Sequence, residues 1–173
     1  MQLSIRQATS QDIDAVAEIL GEAARWLEEQ GMPMWRQDEL LPSHIVADVD
    51  SGQFFLAECD GVPAGTIRFQ LADNLFWPDV PQDDSAFIHR LAVRRRFAGG
   101  EVSSALLLWA IAHTHTLGLR YVRLDCEASR ARLRAVYERI GFRFHSNKQV
   151  GPYFVARYEY DVTEISPSTR KLK

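Results

Sequence analysis

One continuous stretch, Ala86 to Ala112, most constrains what this chain can fold into. Its first part, Ala86 to Val93, is a short run of apolar and β-branched residues, and this pattern predicts a strand. From Val102 onwards apolar residues recur at three- and four-residue spacing, which predicts an amphipathic helix. The pair Gly99-Gly100 lies between the two. A strand that passes through a glycine turn into a helix leaves backbone N–H groups unpaired, and such groups bind anions, phosphates in particular.

The size and composition of the chain exclude several classes of protein. It has 173 residues, of which 46% are hydrophobic and 25% charged, as in an ordinary soluble domain. The formal net charge of -3 argues against a general nucleic-acid binder. Cys59 and Cys126 have no metal-like spacing and are too few for a disulfide framework. No apolar run approaches the roughly eighteen residues of a membrane span, and the N-terminus has no signal-peptide pattern.

We therefore expect one domain, residues 1–162, followed by a polar tail, residues 163–173. The expected location is the cytoplasm, and we expect neither a nucleic acid nor a membrane as a partner.

The rest of the chain predicts an alternation of strands and helices in the order β-α-α-β-β-β-α-β-α-β-β. The predicted strands are Gln2–Ala8, Gln53–Glu58, Val62–Leu71, Ala86–Val93, Tyr121–Cys126, Phe142–His145 and Tyr153–Val162. The predicted helices run from Ile13 to about Gln30, from Pro42 to Val49, from Val102 onwards and from Ser129 to Ile140. An early hairpin followed by alternating elements implies a mixed sheet with helices on both faces.

Two motifs resemble those of the GNAT superfamily of N-acetyltransferases. The run His89-Arg-Leu-Ala-Val93, followed by a glycine turn and a helix, resembles the acetyl-CoA-binding core of that family. The segment Leu133 to Phe142, a helix that carries a Tyr and ends in Gly-Phe, resembles its second signature. The resemblance covers about Gln2 to Val162. It implies an α/β fold with a mostly antiparallel sheet of six or seven strands and a splayed central strand pair.

The resemblance also implies where the co-substrate acetyl-CoA would bind. Its pantetheine arm would lie in the gap of the splayed strands and pair with the backbone of Leu91, Ala92 and Val93. Its pyrophosphate would be wrapped by the amides of the turn. That turn comprises Ala98, Gly99, Gly100, Glu101, Val102, Ser103 and Ser104. Glycines allow a close approach of the backbone, and the helix dipole favours negative charge.

The turn departs from the family pattern at three positions. Where the family has Arg or Gln, then Gly, then Gly or Ala, this chain has Ala98, Glu101 and Ser103. A carboxylate beside a diphosphate is unfavourable by about 1 kcal/mol unless it points away. The arginines 94–96 either offset this charge or belong to a solvated surface. Arg130 stands where many members of the family carry Asn, and from there it would reach the CoA phosphates.

Direct acetyl transfer needs a group that takes the proton of the amine, donors for the oxyanion and an acid for the leaving thiolate. The resemblance implies that Tyr137 is the general acid; the alternative is a core tyrosine at helical spacing. The amides of Leu91 and Val93 are the natural oxyanion donors. His89 lies on the same side of its strand as these residues and is the candidate base, the alternative being a half-buried structural histidine. No group of His, Cys and carboxylates has metal-site spacing, so we expect no metal.

The acceptor site of such an enzyme would be built from the first two helices, their connection and the loop before the central strand. Trp26, Trp35 and Trp77 lie in these segments. Aromatic groups there suit an apolar or amphipathic acceptor, packing between the subunits of a homodimer, or simple capping of the core. The favoured function is acetyl transfer from acetyl-CoA to a primary amine of a small or amino-acid-like molecule. The alternative is a non-catalytic acyl-CoA-binding domain that acts as a sensor or interaction module.

Overall fold

Seven strands and four α-helices follow one another in the predicted order in the computed structural model, which describes residues 1–164. They are β1 Leu3–Gln7, α1 Ile13–Glu29, α2 Pro42–Asp50, β2 Phe54–Cys59, β3 Val62–Gln70, β4 Ser85–Val93, α3 Val102–Thr116, β5 Tyr121–Glu127, α4 Ala131–Ile140, β6 Arg143–Val150 and β7 Tyr153–Asp161. The strand order is β1-β2-β3-β4-β5-β7-β6, with a parallel β4–β5 pair in a mostly antiparallel sheet. The predicted fold class is confirmed.

Two predicted elements were wrong in extent. β6 runs to Val150 rather than to His145, because the polar residues 146–149 pair with β7 although they carry no apolar alternation. α4 begins at Ala131 rather than at Ser129, whose hydroxyl instead bonds Glu127 at 3.1 Å. Of the predicted polar tail, residues 165–173 lie outside the described part of the chain.

The chain divides into two compact units, which are described separately below. Unit 1 comprises residues 1–68 and 90–106, and unit 2 comprises residues 69–89 and 107–173. The expectation of a single domain stays a prediction.

Unit 1 is built around the buried face of α1. Val16, Ile19, Leu20 and Ala24 recur at helical spacing on that face and are almost fully buried. Their core cluster also contains Ile45 and Val49 of α2, Phe54 and Leu56 of β2, and Ala92 of β4. β1 and β3 flank β2 in antiparallel register.

Gly65 of β3 lets two backbone segments of unit 1 approach closely. A Cβ at this position would lie 2.9 Å from Cγ1 of Val102 and 3.0 Å from the carbonyl oxygen of Ala92. Real Cβ atoms avoid both distances, so only glycine fits here without a shift of its neighbours. The first turn of α3 therefore packs directly on β3.

Unit 2 contains the parallel β4–β5 pairs from Ser85–Tyr121 to Ile88–Leu124. β5 then pairs with β7, and β7 pairs with β6. The predicted loop before β4 contributes a fully buried Trp77 to this unit. The guanidinium groups of Arg157 and Arg123 lie 4.6 and 5.5 Å from the centroid of its ring.

No helix in residues 1–164 combines the length and the apolar character needed to cross a bilayer.

Candidate active site

The pairing of β4 with β5 ends at Ile88 in the described part of the chain. The strand continues to Val93, and Arg90 within this extension has a φ of 53°. A positive φ in a strand residue other than glycine marks a bulge, where regular pairing stops. Ala92 is buried, whereas Leu91 and Val93 keep exposed surface. This irregularity agrees with the predicted splay of the central strands.

In the turn after β4, residues 99–101 are exposed, whereas Val102 at the start of α3 is buried. Gly99 adopts a φ of 76°, in the region that favours glycine. The amide of Ala105 donates to the carbonyl of Glu101 at 2.8 Å, which is the first bond of the helical ladder. The amides of Val102, Ser103 and Ser104 therefore precede the ladder and have no partner within the helix. That this turn binds an anion stays a prediction.

The three arginines before the turn differ in their surroundings. Arg94 forms ion pairs with Glu18 at 3.1 Å and Glu22 at 3.3 Å, and also donates to a backbone carbonyl. The guanidinium of Arg95 lies 3.9 Å from the ring centroid of Trp26. Arg96 stacks on its neighbour Phe97 at the surface. Arg94 and Arg95 thus have partners inside unit 1 that the sequence analysis did not predict.

Trp26 and Trp35 both lie in unit 1, half-buried, and each carries a guanidinium over its ring. Arg90 lies 5.3 Å from the ring centroid of Trp35, which also packs on the core cluster. A surface pocket of about 370 Å³ adjoins Trp35. It is lined by Glu28, Pro33, Trp35, Arg36, Gln37 and Asp38. Within this lining Arg36 forms an ion pair with Asp38 at 2.8 Å, and Gln37 donates to Glu28 at 2.9 Å, so both carboxylates already have partners.

Trp77, the third predicted acceptor residue, has no exposed surface in unit 2. Its indole nitrogen is buried and forms no hydrogen bond of ordinary geometry with the described residues. The ring packs against Phe87 and His145 as well as the two arginines named above. These contacts make Trp77 a packing residue rather than a surface that meets a ligand.

Tyr137 lies on the buried face of α4, 4% exposed. Its ring contacts those of Phe142 and Tyr158. Burial raises the pKa of its hydroxyl far above the usual range, the neighbouring Cys126 adds to the rise, and Arg130 opposes it. Tyr137 is therefore protonated at neutral pH. Gly141 ends the helix with a φ of 115°, as predicted for the Gly-Phe signature.

His89 belongs to a cluster of unit 2 that sequence analysis missed. Its Nε2 lies 2.7 Å from Oδ2 of Asp73, and one ligand-type atom each of Asp73, His89 and Asp125 lies within 4.8 Å of the others. Burial raises the pKa of Asp73, but the His89 and backbone hydrogen bonds outweigh it and lower that pKa below its usual value. Burial raises the pKa of Asp125 to about 6. These residue types suit a metal ion as well as a proton-transfer group, so the absence of a metal stays a prediction.

The comparisons with known proteins agree with this geometry. The family model described as Acetyltransferase (GNAT) family matches residues 14–142. The uncharacterized N-acetyltransferase YesJ of Bacillus subtilis (strain 168) is 30% identical over 145 residues, which are 79% of each chain. A GNAT-family acetyltransferase of Listeria monocytogenes 4b F2365 superposes with a TM-score of 0.77 at 26% identity, over 92% of this chain and 94% of the other.

Two more distant structures share the fold. The PaiA N-acetyltransferase of Thermoplasma acidophilum, solved with coenzyme A, has a TM-score of 0.74 at 19% identity and covers 92% of this chain and 100% of its own. The putative acetyltransferase YncA of Salmonella typhimurium, solved with acetyl-CoA, has a TM-score of 0.73 at 17% identity over 96% and 97% of the chains.

The mostly antiparallel seven-stranded sheet with its four helices matches the fold of these acetyltransferases. The chain belongs to the acetyltransferase (GNAT) family, and is by family an N-acetyltransferase. The predicted family and enzyme class are confirmed.

Proposed function

We propose that this protein transfers the acetyl group of acetyl-CoA to a primary amine of a small or amino-acid-like molecule. The observation that carries the proposal is the exposed turn at the start of α3, where three successive amides precede the helical ladder. Unpaired amides at a helix N-terminus bind phosphate groups. The coenzyme A and acetyl-CoA in the two distant structures support this ligand by fold analogy.

The proposed acetyl-CoA contacts follow the chain from β4 into α3. The backbone of Leu91, Ala92 and Val93, beyond the bulge, would pair with the pantetheine arm. The diphosphate would be held by residues 98–104. Arg130, which lies just before α4, would reach a phosphate group. Of the three arginines before the turn, Arg96 is the one we expect to offset the charge of Glu101.

The proposed chemistry is a direct attack of the amine on the thioester. Tyr137 donates a proton to the leaving sulfur, His89 takes the proton of the amine, and the amides of Leu91 and Val93 stabilise the oxyanion. Tyr137 is protonated at neutral pH, the state that a proton donor needs, and its burial makes it a weaker acid than a free tyrosine. For the acceptor we propose Trp26 and Trp35, because both are half-buried aromatic rings of unit 1 and a surface pocket of about 370 Å³ adjoins Trp35.

Calorimetry with acetyl-CoA tests the binding step, and a thiol-release assay over a panel of amines tests transfer. We expect acetyl-CoA to bind and at least one amine to release thiol. No heat of binding at millimolar acetyl-CoA contradicts the proposal. Ser103→Pro removes one of the three backbone N–H groups. Thr116→Ala, at the far end of α3, is its control.

A non-catalytic acyl-CoA-binding domain is the second candidate function. The exposed carboxylate of Glu101 at the start of α3 favours it, because the family places a glycine there. Binding of acetyl-CoA without thiol release for any amine would support this alternative. The cytoplasmic location and the homodimer stay predictions.

A further inference from the structure

The hydrogen bond between Asp73 and His89 determines which nitrogen of the imidazole carries the proton. Asp73 is only 5% exposed in its side chain, and its pKa lies below the usual value, so it is a carboxylate that can only accept hydrogen bonds. A 2.7 Å contact with Nε2 therefore requires a proton on Nε2. In the neutral ring this leaves the lone pair on Nδ1.

Asp73 is itself held in place by its own loop. Its Oδ1 accepts the amides of Leu75 at 3.1 Å and Phe76 at 2.9 Å. Its backbone amide donates to the Gln82 side chain at 2.7 Å, and Gln82 in turn donates to the carbonyl of Trp77. Oδ1 of Asp73 thus bonds to the backbone of its own loop, while Oδ2 contacts His89. This division is what a residue needs to orient another side chain.

The remaining charged groups around His89 come from two strands of unit 2 and from its own strand. Asp125 of β5 is half-buried, and its buried Oδ2 forms no hydrogen bond of ordinary geometry with residues 1–164. Arg157 of β7 lies opposite Asp125 in register and forms a short ion pair with Asp79. Arg90 follows His89 on β4. Two carboxyl groups, those of Asp73 and Asp125, therefore lie within 4.8 Å of a ring nitrogen of His89.

We propose that Asp73 is a positioning residue that holds His89 with its proton on Nε2, so that Nδ1 accepts the proton of the attacking amine. This inference rests on the proposed acetyl transfer. In that step the amine nitrogen forms a bond to the acetyl carbon and the carbon–sulfur bond breaks. The N–H proton passes to Nδ1, the sulfur receives the proton of Tyr137, and solvent carries one proton from His89 back to Tyr137.

Nitrogen-15 NMR of the full chain reads the tautomer without any substrate. The chain has five histidines, so His89→Gln identifies the signals of His89. We expect a protonated Nε2 and an unprotonated Nδ1 in the neutral ring of the wild type. Asp73→Asn keeps an oxygen for the amides of Leu75 and Phe76 but offers a donor as well, so we expect a mixture of tautomers. A wild-type ring protonated on Nδ1, or an Asp73→Asn ring unchanged from wild type, overturns the proposal.

Kinetics with acetyl-CoA and an amine accepted by the wild type provide the second readout. We expect Asp73→Asn to lower kcat by about 10²-fold with KM unchanged and to shift the acid limb of the pH–rate profile. We expect Asp73→Glu to retain more of the wild-type rate than Asp73→Asn does. Asp83→Asn, an exposed aspartate of the same loop, is the matched control and should leave both readouts unchanged. Equal kinetics for the Asp73 and Asp83 variants overturn the proposal while leaving acetyl transfer intact. If the wild type accepts no amine, the proposed function fails instead, and the NMR result still decides the tautomer.

Discussion

The two regions with candidate functional groups differ in whether those groups belong to the backbone or to side chains. In unit 1 the turn before α3 offers backbone amides, while its neighbouring side chains Arg94 and Arg95 are already engaged with α1. In unit 2 the candidate groups are the side chains of Tyr137, His89 and Asp73, each partly or fully buried.

This difference predicts that the turn tolerates changes of its side chains. Backbone amides point to a ligand whatever the side chain, provided that the backbone keeps its course. A buried hydroxyl or imidazole has no such substitute. We therefore expect side-chain changes to have large effects in unit 2 and small ones in the turn, where backbone packing matters instead. The predictions below test this contrast in order of decreasing effect.

Replacing Tyr137 by Phe removes the proposed acid and keeps the ring that packs against Phe142 and Tyr158. We expect kcat to fall by about 10²-fold or more while the Kd of acetyl-CoA changes by less than about twofold. Thiol release and calorimetry measure the two quantities. Tyr153→Phe, at an exposed tyrosine of β7, is the control. An unaltered rate in Tyr137→Phe would remove this hydroxyl from the mechanism.

Gly65→Ala tests the importance of backbone approach in unit 1. The new Cβ would press on Val102 and on the carbonyl of Ala92, so we expect a loss of about 2 kcal/mol in the free energy of unfolding. Gly21→Ala is the matched control, since its Cβ would meet only the flexible end of Arg25 within α1. We expect that change to stabilise by up to about 1 kcal/mol. Urea unfolding compares them, and equal effects would contradict the close approach.

Asp125→Asn tests the burial of the carboxyl group in unit 2. Burial raises the pKa of Asp125 to about 6, so between the unfolded-state pKa and pH 6 the folded chain binds more protons than the unfolded chain. This group therefore lowers stability as pH rises from about 4 to about 6, and above that its effect is constant. We expect the variant to be more stable by about 1 kcal/mol at pH 8 and to lose that gain at pH 3.5.

Thermal unfolding at the two pH values measures this difference. Asp83→Asn, the exposed control, should show no such dependence. Destabilisation of Asp125→Asn at pH 8 would show that the ionised carboxylate is favourably bound.

Glu101→Gly has the smallest expected effect and restores the residue that the family pattern has at this position. Removing a negative charge near the diphosphate should tighten acetyl-CoA binding about fivefold, as for a repulsion of about 1 kcal/mol. Glu101→Gln separates charge from backbone freedom and should give most of the gain. Calorimetry in low salt measures both. Unchanged or weaker binding would mean that Glu101 does not face the diphosphate.

Most of the fold could be predicted from local sequence patterns. Apolar spacing in α1 and the Gly-Phe ending of α4 depend on neighbouring residues only, so the order of all eleven elements was predictable. β6 was predicted too short because residues 146–149 are polar and form a strand only by pairing with β7. The ion pairs of Arg94 with Glu18 and Glu22 join residues more than seventy positions apart, and no spacing rule identifies such partners.

The candidate site also has one part that the sequence predicts and one part that only the tertiary structure determines. The sequence alone determined the strand, the glycine turn and the helix of Ala86 to Ala112, because backbone geometry there follows from adjacent residues. Tertiary structure alone decided the surroundings of His89. Asp73 carries a local turn signal through its amide contacts two and three residues on, but its second oxygen meets a histidine sixteen residues away. Asp125 acquires its raised pKa only when the fold excludes water from it, since desolvation is a property of the packed chain and not of the residue.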